Sequence, residues 1–287
     1  MKKIVLCLGV VSSLAMATQL QDDIKSAKAD VKKAQKRVKE LELKLPNEML
    51  TTHTELGFIS TGGNTKTKTF ALDLKAKKGW GAHLLSFDFD AQYAQDKDIE
   101  SKNKFSTQLK YSRSFTDRLS ATYLIAYKKD KFSGFSYQTY TGPGLKYVAI
   151  EKKEHKLTLN ASILYSQDDI EDINYDTNGD IIKYPNPNAT QSVSTKDGTT
   201  KKYAAYELDG AYAWQMLDNL KFEQELTYRA EVEDSSIYFG FSKTALSSKL
   251  SDMFSAGISY KADYVNTPPI GKDYTDTTFT VNLIIDY

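Results

Sequence analysis

Three histidines, His53, His83 and His155, and one cysteine, Cys7, are the side chains of this 287-residue chain whose ordinary pKa values best suit a nucleophile–base pair near neutral pH. A hydrolase needs an imidazole within reach of a serine or thiol. None of the three histidines sits beside a serine in a nucleophile motif, and Cys7 belongs to the leader described below. Asp172, Asn174, Asp176, Asn178, Gly179 and Asp180 place oxygen ligands at alternate positions before a glycine, as in the first half of a calcium loop. Counting from Asn174, the position for the bidentate glutamate holds Pro185, so the segment reads as a solvated acidic loop. No catalytic, cofactor or metal residue is expected, and the protein reads as non-enzymatic.

A different set of charges recurs at every second residue. Asp88, Asp90, Glu207, Asp209, Glu223, Glu225, Glu231, Glu233 and Asp263 share the polar side of their segments with Lys110, Lys128, Arg229 and Lys261. Such spacing puts charge on one face of a β-strand. If those faces surround a water-filled space, the groups line a pore, and the excess of acid predicts a mild preference for cations. A lumen closed by neutralising salt bridges is the competing expectation.

The elements that must hold these charges are long strands. From Thr51 to Tyr287 the apolar period is two. Examples are Phe70-Leu72-Leu74-Ala76, Leu85-Phe87-Phe89-Ala91-Tyr93, Leu157-Leu159-Ala161-Ile163-Tyr165 and Phe279-Val281-Leu283-Ile285-Tyr287. Ile237, Phe239 and Phe241 are assigned by the same pattern to the apolar side of a tenth strand. The runs span about ten to fourteen residues, against roughly five or six in soluble sheets, and a tilted membrane-spanning strand needs roughly nine to eleven. Alternate connections are short, at Lys78-Gly79, Thr116-Asp117-Arg118, Glu151-Lys152-Lys153, Leu217-Asp218-Asn219 and Ser251-Asp252, as periplasmic turns are. The others are expected to be mostly longer, the longest running from about Asp168 to Lys201. The fold class is therefore all-β: a transmembrane antiparallel β-barrel of about twelve strands over residues 51–287, with both termini periplasmic. Trp80, Tyr147 and Trp214, near the short turns, would form an aromatic belt.

The N-terminus supplies the address. Lys2 and Lys3, an apolar run from Ile4 to Leu14 and Ala15-Met16-Ala17 form a secretory signal peptide over residues 1–17, cleaved after Ala17. The mature chain then has no cysteine, and disulfides play no part. Residues 18–46 read as a helix. Leu20, Ile24, Ala27, Val31, Ala34, Val38, Leu41 and Leu45 form a heptad seam, ended by Pro46-Asn47. That seam fits a homo-oligomeric periplasmic coiled coil through residues 20–45, or a lone amphipathic helix. A net charge of +1 gives no field for nucleic acid.

Glu55-Leu-Gly57-Phe-Ile-Ser-Thr-Gly62-Gly-Asn64-Thr, Tyr127-Lys-Lys-Asp130-Lys-Phe132 and Gly142-Pro-Gly144-Leu-Lys-Tyr147 together resemble the salt-induced outer-membrane protein family, a domain of unknown function. The resemblance covers most of Thr51 to Tyr287 and implies an exported outer-membrane barrel without catalytic residues. It says nothing of the heptad segment or of the 168–201 connection. The expected partners are outer-membrane lipid and the barrel-assembly machinery of a Gram-negative cell. The function expected is a porin-like narrow channel for small hydrophilic solutes or ions; the alternative is a barrel that anchors a periplasmic coiled coil and an extracellular loop.

Overall fold

A computed structural model describes residues 50–60, 67–182 and 190–287, together with Lys25, Lys28 and Lys33, which are helical and exposed. The heptad seam of Leu20, Ile24, Ala27, Val31, Ala34, Val38, Leu41 and Leu45 lies outside the described residues, as does the signal segment.

Strong period-two patterning gives fourteen strands: β1 (Leu50–Ser60), β2 (Thr67–Trp80), β3 (His83–Asp96), β4 (Ile99–Ser114), β5 (Leu119–Asp130), β6 (Phe135–Glu151), β7 (His155–Ile170), β8 (Ile173–Tyr175), β9 (Ser194–Lys196), β10 (Thr200–Leu217), β11 (Leu220–Glu231), β12 (Tyr238–Lys249), β13 (Phe254–Val265) and β14 (Thr275–Asp286). Twelve of them form a closed barrel in the order β1-β14-β13-β12-β11-β10-β7-β6-β5-β4-β3-β2, and β8 and β9 pair as a separate hairpin. Every barrel pairing is antiparallel. The barrel closes where β1 meets β14, His53 opposite Asp286, and the Thr52 N–H donates to the Tyr287 carbonyl at 2.6 Å. Closure removes the sheet edges, which hydrocarbon could not tolerate.

The outer wall is apolar. Phe58, Ile125, Leu145, Ile163, Leu226, Phe279 and Val281 are each more than half exposed. A contiguous belt of this kind would be an aggregation hazard in water and is the ordinary surface of a barrel in lipid. Near the termini the belt ends in aromatic clusters. Trp80 stacks on His83 at 5.8 Å and Trp214 on His155 at 5.7 Å. Toward the other rim run two tyrosine- and phenylalanine-rich ladders, Phe89-Phe105-Tyr127-Tyr137 and Tyr206-Tyr228-Tyr238-Tyr264, with neighbouring rings 5.5–6.3 Å apart. These bands suit the two interfaces of a bilayer.

Several boundaries differ from the sequence expectation. The first turn at the terminal end lies at Gly81-Ala82 rather than Lys78-Gly79, because Trp80 pairs with His83. At the opposite end, β3 and β4 are joined by only Lys97-Asp98, both at positive φ (50° and 64°), the geometry of a tight hairpin turn that favours Asp and Asn. The long connection is residues 171–199 and carries the β8–β9 hairpin. There Asn174 Oδ1 accepts from the Ser192 and Thr195 hydroxyls, and Asp176 Oδ1 accepts the N–H groups of Asn178 and Asp180. The oxygens spaced like calcium ligands thus hold a turn and a hairpin together. Glu233, expected on the inner face, lies beyond the end of β11 in an exposed turn. In the same turn the Ser236 hydroxyl donates to Asp234 at 2.6 Å and holds that carboxyl below the usual carboxylate range.

β6 is irregular at its centre. Pairing with β7 is continuous from Tyr137 through Thr141 and resumes at Gly144, leaving out Gly142 and Pro143. Pro143 has no N–H to give the ladder. A Cβ at Gly142 would lie 2.0 Å from the Ile163 carbonyl oxygen. The Gly-Pro-Gly segment therefore lets β6 press against β7 at the level where Leu164 points inward.

Candidate functional site

The site is the interior of the barrel, and alternation decides what reaches it. With Phe70, Leu72 and Leu74 outward, β2 must present Asp73, Lys75 and Lys77 inward, and each strand adds its own set. A cavity of about 470 Å³ results, lined by eight cationic side chains and seven carboxylates. The acidic excess expected from sequence is therefore absent: Lys75, Lys77, Lys104 and Lys243 also face the lumen and balance the charge.

Most of these groups are paired across the interior rather than along the wall. Lys128 on β5 reaches Asp263 on β13 at 3.1 Å, although the two strands lie six places apart in the twelve-strand ring. Lys104 joins the same carboxylate at 2.7 Å and Asp276 at 3.3 Å. Lys75 meets Glu225 at 2.7 Å from five strands away. Lys243, only 5% exposed, bridges Glu55 at 2.6 Å and Asp73 at 2.9 Å. Lys261 binds both Asp73 and Asp90. At the terminal mouth, His53 Nδ1 lies 2.6 Å from Asp286 and its Nε2 3.2 Å from Glu55. Burying a lysine in this way is tolerable only because each ammonium meets one or two carboxylates.

One sector differs. Leu124 and Ala126 on β5, Leu164 on β7 and Tyr203 and Ala205 on β10 also point inward, and Tyr140 packs on them. Leu124 is 1% and Leu164 2% exposed, so part of the lumen is filled by a small dry core. Phe239 and Phe241, assigned from sequence to the apolar outer side, line the cavity instead. The register explains it: Phe239 is opposite Arg229 and Phe241 opposite Thr227, both inward positions. Arg229 is then clasped between the rings of Tyr140, 4.1 Å from its guanidinium carbon, and Phe239, at 4.6 Å.

Of the residues expected inside, Asp88, Asp90, Lys110, Lys128, Glu207, Asp209, Glu225, Arg229, Lys261 and Asp263 line this cavity. Lys110 stands 4.0 Å from Asp209, which also accepts from Asn160 and Thr227. Glu223 and Glu231 face the same way but do not join that cavity; Glu223 pairs with Lys221 at 2.7 Å and Glu231 with Lys201 at 2.8 Å. Lys77, Lys146 and Lys156, toward the terminal end of β2, β6 and β7, have no ion-pair partner among the described residues. The three histidines bond to carboxylates or tyrosines: His53 as above, His83 to the Tyr111 hydroxyl at 2.6 Å and His155 to the Tyr212 hydroxyl at 2.9 Å. His83 and His155 belong to the outer aromatic band, and none of the three is bonded to a serine among the described residues.

The family described as "Protein of unknown function, DUF481" matches residues 54–287, and the chain belongs to it. No curated protein sequence matches the chain. Among solved structures, the NanC porin in a rhombohedral crystal form aligns at 14% identity over 83% of this chain and 98% of its own, with a TM-score of 0.40. The translocator domain of the autotransporter NalP from Neisseria meningitidis aligns at 9% identity over 92% and 97%, TM-score 0.44. The KdgM porin aligns at 11% identity over 83% and 99%, TM-score 0.41. Likenesses this loose carry no argument, and the functional reading rests on the interior of the barrel itself.

Proposed function

We propose that this member of the DUF481 family is a non-enzymatic, narrow channel for small hydrophilic solutes and ions in a Gram-negative outer membrane. The observation that carries the reading is the charged cavity of about 470 Å³ inside a closed and externally apolar wall. A barrel that serves only to hold its place in lipid can fill its interior with apolar side chains, as the Leu124–Leu164 sector does here. Fifteen charged groups around an internal space are costly unless water and solutes reach them. Osmotic swelling of proteoliposomes tests it: a pentose should enter and raffinose should not. Folded barrel, shown by heat-modifiable migration, that admits neither would end the channel reading.

A second reading has its own observation. The pairs Lys128–Asp263 and Lys75–Glu225 span the lumen nearly from wall to wall, and a barrel locked by them would act as an anchor for its N-terminal segment and for the 171–199 loop. In that case residues 18–46 would be the working part, as a homo-oligomeric coiled coil. Export through a signal peptide cleaved after Ala17, insertion by the barrel-assembly machinery and induction by salt are parts of both readings, supported by the leader pattern, the closed antiparallel barrel and the family resemblance respectively.

A further inference from the structure

Two side chains in the cavity, one basic and one acidic, lack an ion-pair or hydrogen-bond partner among the described residues. Arg229 is 6% exposed, its Nε has no hydrogen-bond acceptor, and it makes no ion pair among the described residues. Glu207 is 4% exposed and likewise forms neither an ion pair nor a hydrogen bond among the described residues. They are register partners on β10 and β11, face the same cavity, and still do not meet. The contacts Arg229 makes instead are with the rings of Tyr140 and Phe239, whose centroids lie 4.1 and 4.6 Å from its guanidinium carbon. The other carboxylates of this sector are already engaged, Asp168 with Gln138 and Tyr203, and Asp209 with Asn160, Thr227 and Lys110.

A nine-tenths-buried arginine beside a buried glutamate, neither with an ion-pair or hydrogen-bond partner among the described residues, is an expensive arrangement. We propose that it is a binding subsite for a zwitterion carrying a carboxylate and an ammonium a bond or two apart, such as a free amino acid. The planar guanidinium offers paired N–H donors to the carboxylate, which a lysine could not. Glu207 takes the ammonium, and the two ring faces exclude water from one side and strengthen both pairings. A simple anion would satisfy Arg229 but face Glu207, and a simple amine would do the reverse. The cavity, about 470 Å³, falls within the roughly 300–1,000 Å³ of small-molecule sites. The inference deepens the channel reading by naming the solute class.

Equilibrium dialysis of labelled L-glutamine against the refolded full mature chain in detergent tests the subsite without requiring conduction. Saturable binding is expected, weakened at least about tenfold in Arg229→Gln, Arg229→Lys and Glu207→Gln, each shown folded by heat-modifiable migration. Propionate and propylamine should bind at least about tenfold more weakly than L-glutamine to the unsubstituted barrel. No saturable L-glutamine binding to folded protein would overturn the subsite, and so would propionate binding as tightly as L-glutamine with no effect of Glu207→Gln. Binding by a barrel that proteoliposome swelling shows to be closed would sustain the subsite and sink the channel; a swelling-active barrel without binding would do the opposite.

Discussion

The two sides of the lumen are built on different principles. On β5, β7 and β10, Leu124, Leu164, Tyr203 and Ala205 close against one another as an ordinary dry core. On β1–β4 and β11–β13, the same inward positions hold Lys243, Glu55, Asp73, Lys261 and Asp90, cross-linked by ion pairs. Packed apolar contacts resist displacement because any gap forfeits dispersion and burial together. Ion pairs that reach water, as Lys75–Glu225 does on this side, exchange partners at little net cost. A solute path should therefore follow the charged side, with the apolar side as a fixed wall that narrows it.

That contrast can be broken on either side. Lys243→Met should have the largest effect, about 3–5 kcal/mol of destabilisation, because the buried Glu55 and Asp73 lose the ammonium they share, leaving Glu55 only His53 and Asp73 only Lys261 as ion-pair partners among the described residues. Urea unfolding in detergent checks it, and neutralising both acids together with Lys243 should restore most of the loss. Leu164→Ala should cost about 2–5 kcal/mol by opening a cavity in the dry sector, with selectivity unchanged. Opening the Lys75–Glu225 pair by Glu225→Gln should cost less than about 1 kcal/mol, since both groups are about a third exposed or nearly so, while raising single-channel conductance. The smallest change in stability, within about 0.5 kcal/mol, is expected for Lys77→Glu with Lys156→Glu, which should move the reversal potential toward cations.

Much of the barrel was legible from sequence because period two is a long, repeated signal. Strands of 11 to 18 residues with apolar residues outward leave little choice of face. Lys75 and Lys77 could have been found the same way, by taking the alternate positions to Phe70, Leu72 and Leu74. β12 was misread for a physical reason: Phe239 and Phe241 share a parity with Lys243, so hydrophobicity points to lipid while register points to the lumen. The aromatic clasp on Arg229 depends on Tyr140, three strands away in the ring, and no local pattern carries it. The same holds for the cross-lumen pairs, whose partners are up to 188 residues apart in the chain. The misplaced acidic balance followed from the lysines that this left uncounted.

The most direct test is single-channel recording of the refolded mature protein in a planar bilayer with a potassium chloride gradient. Discrete small openings are predicted, with a reversal potential slightly on the anion side, reflecting unpaired Lys77, Lys146 and Lys156 at the terminal end of the barrel, and with larger steps when Glu225 becomes Gln. Silence from protein shown to be folded and inserted, in both the native and the Glu225→Gln form, would contradict the account and leave a barrel locked by its own salt bridges.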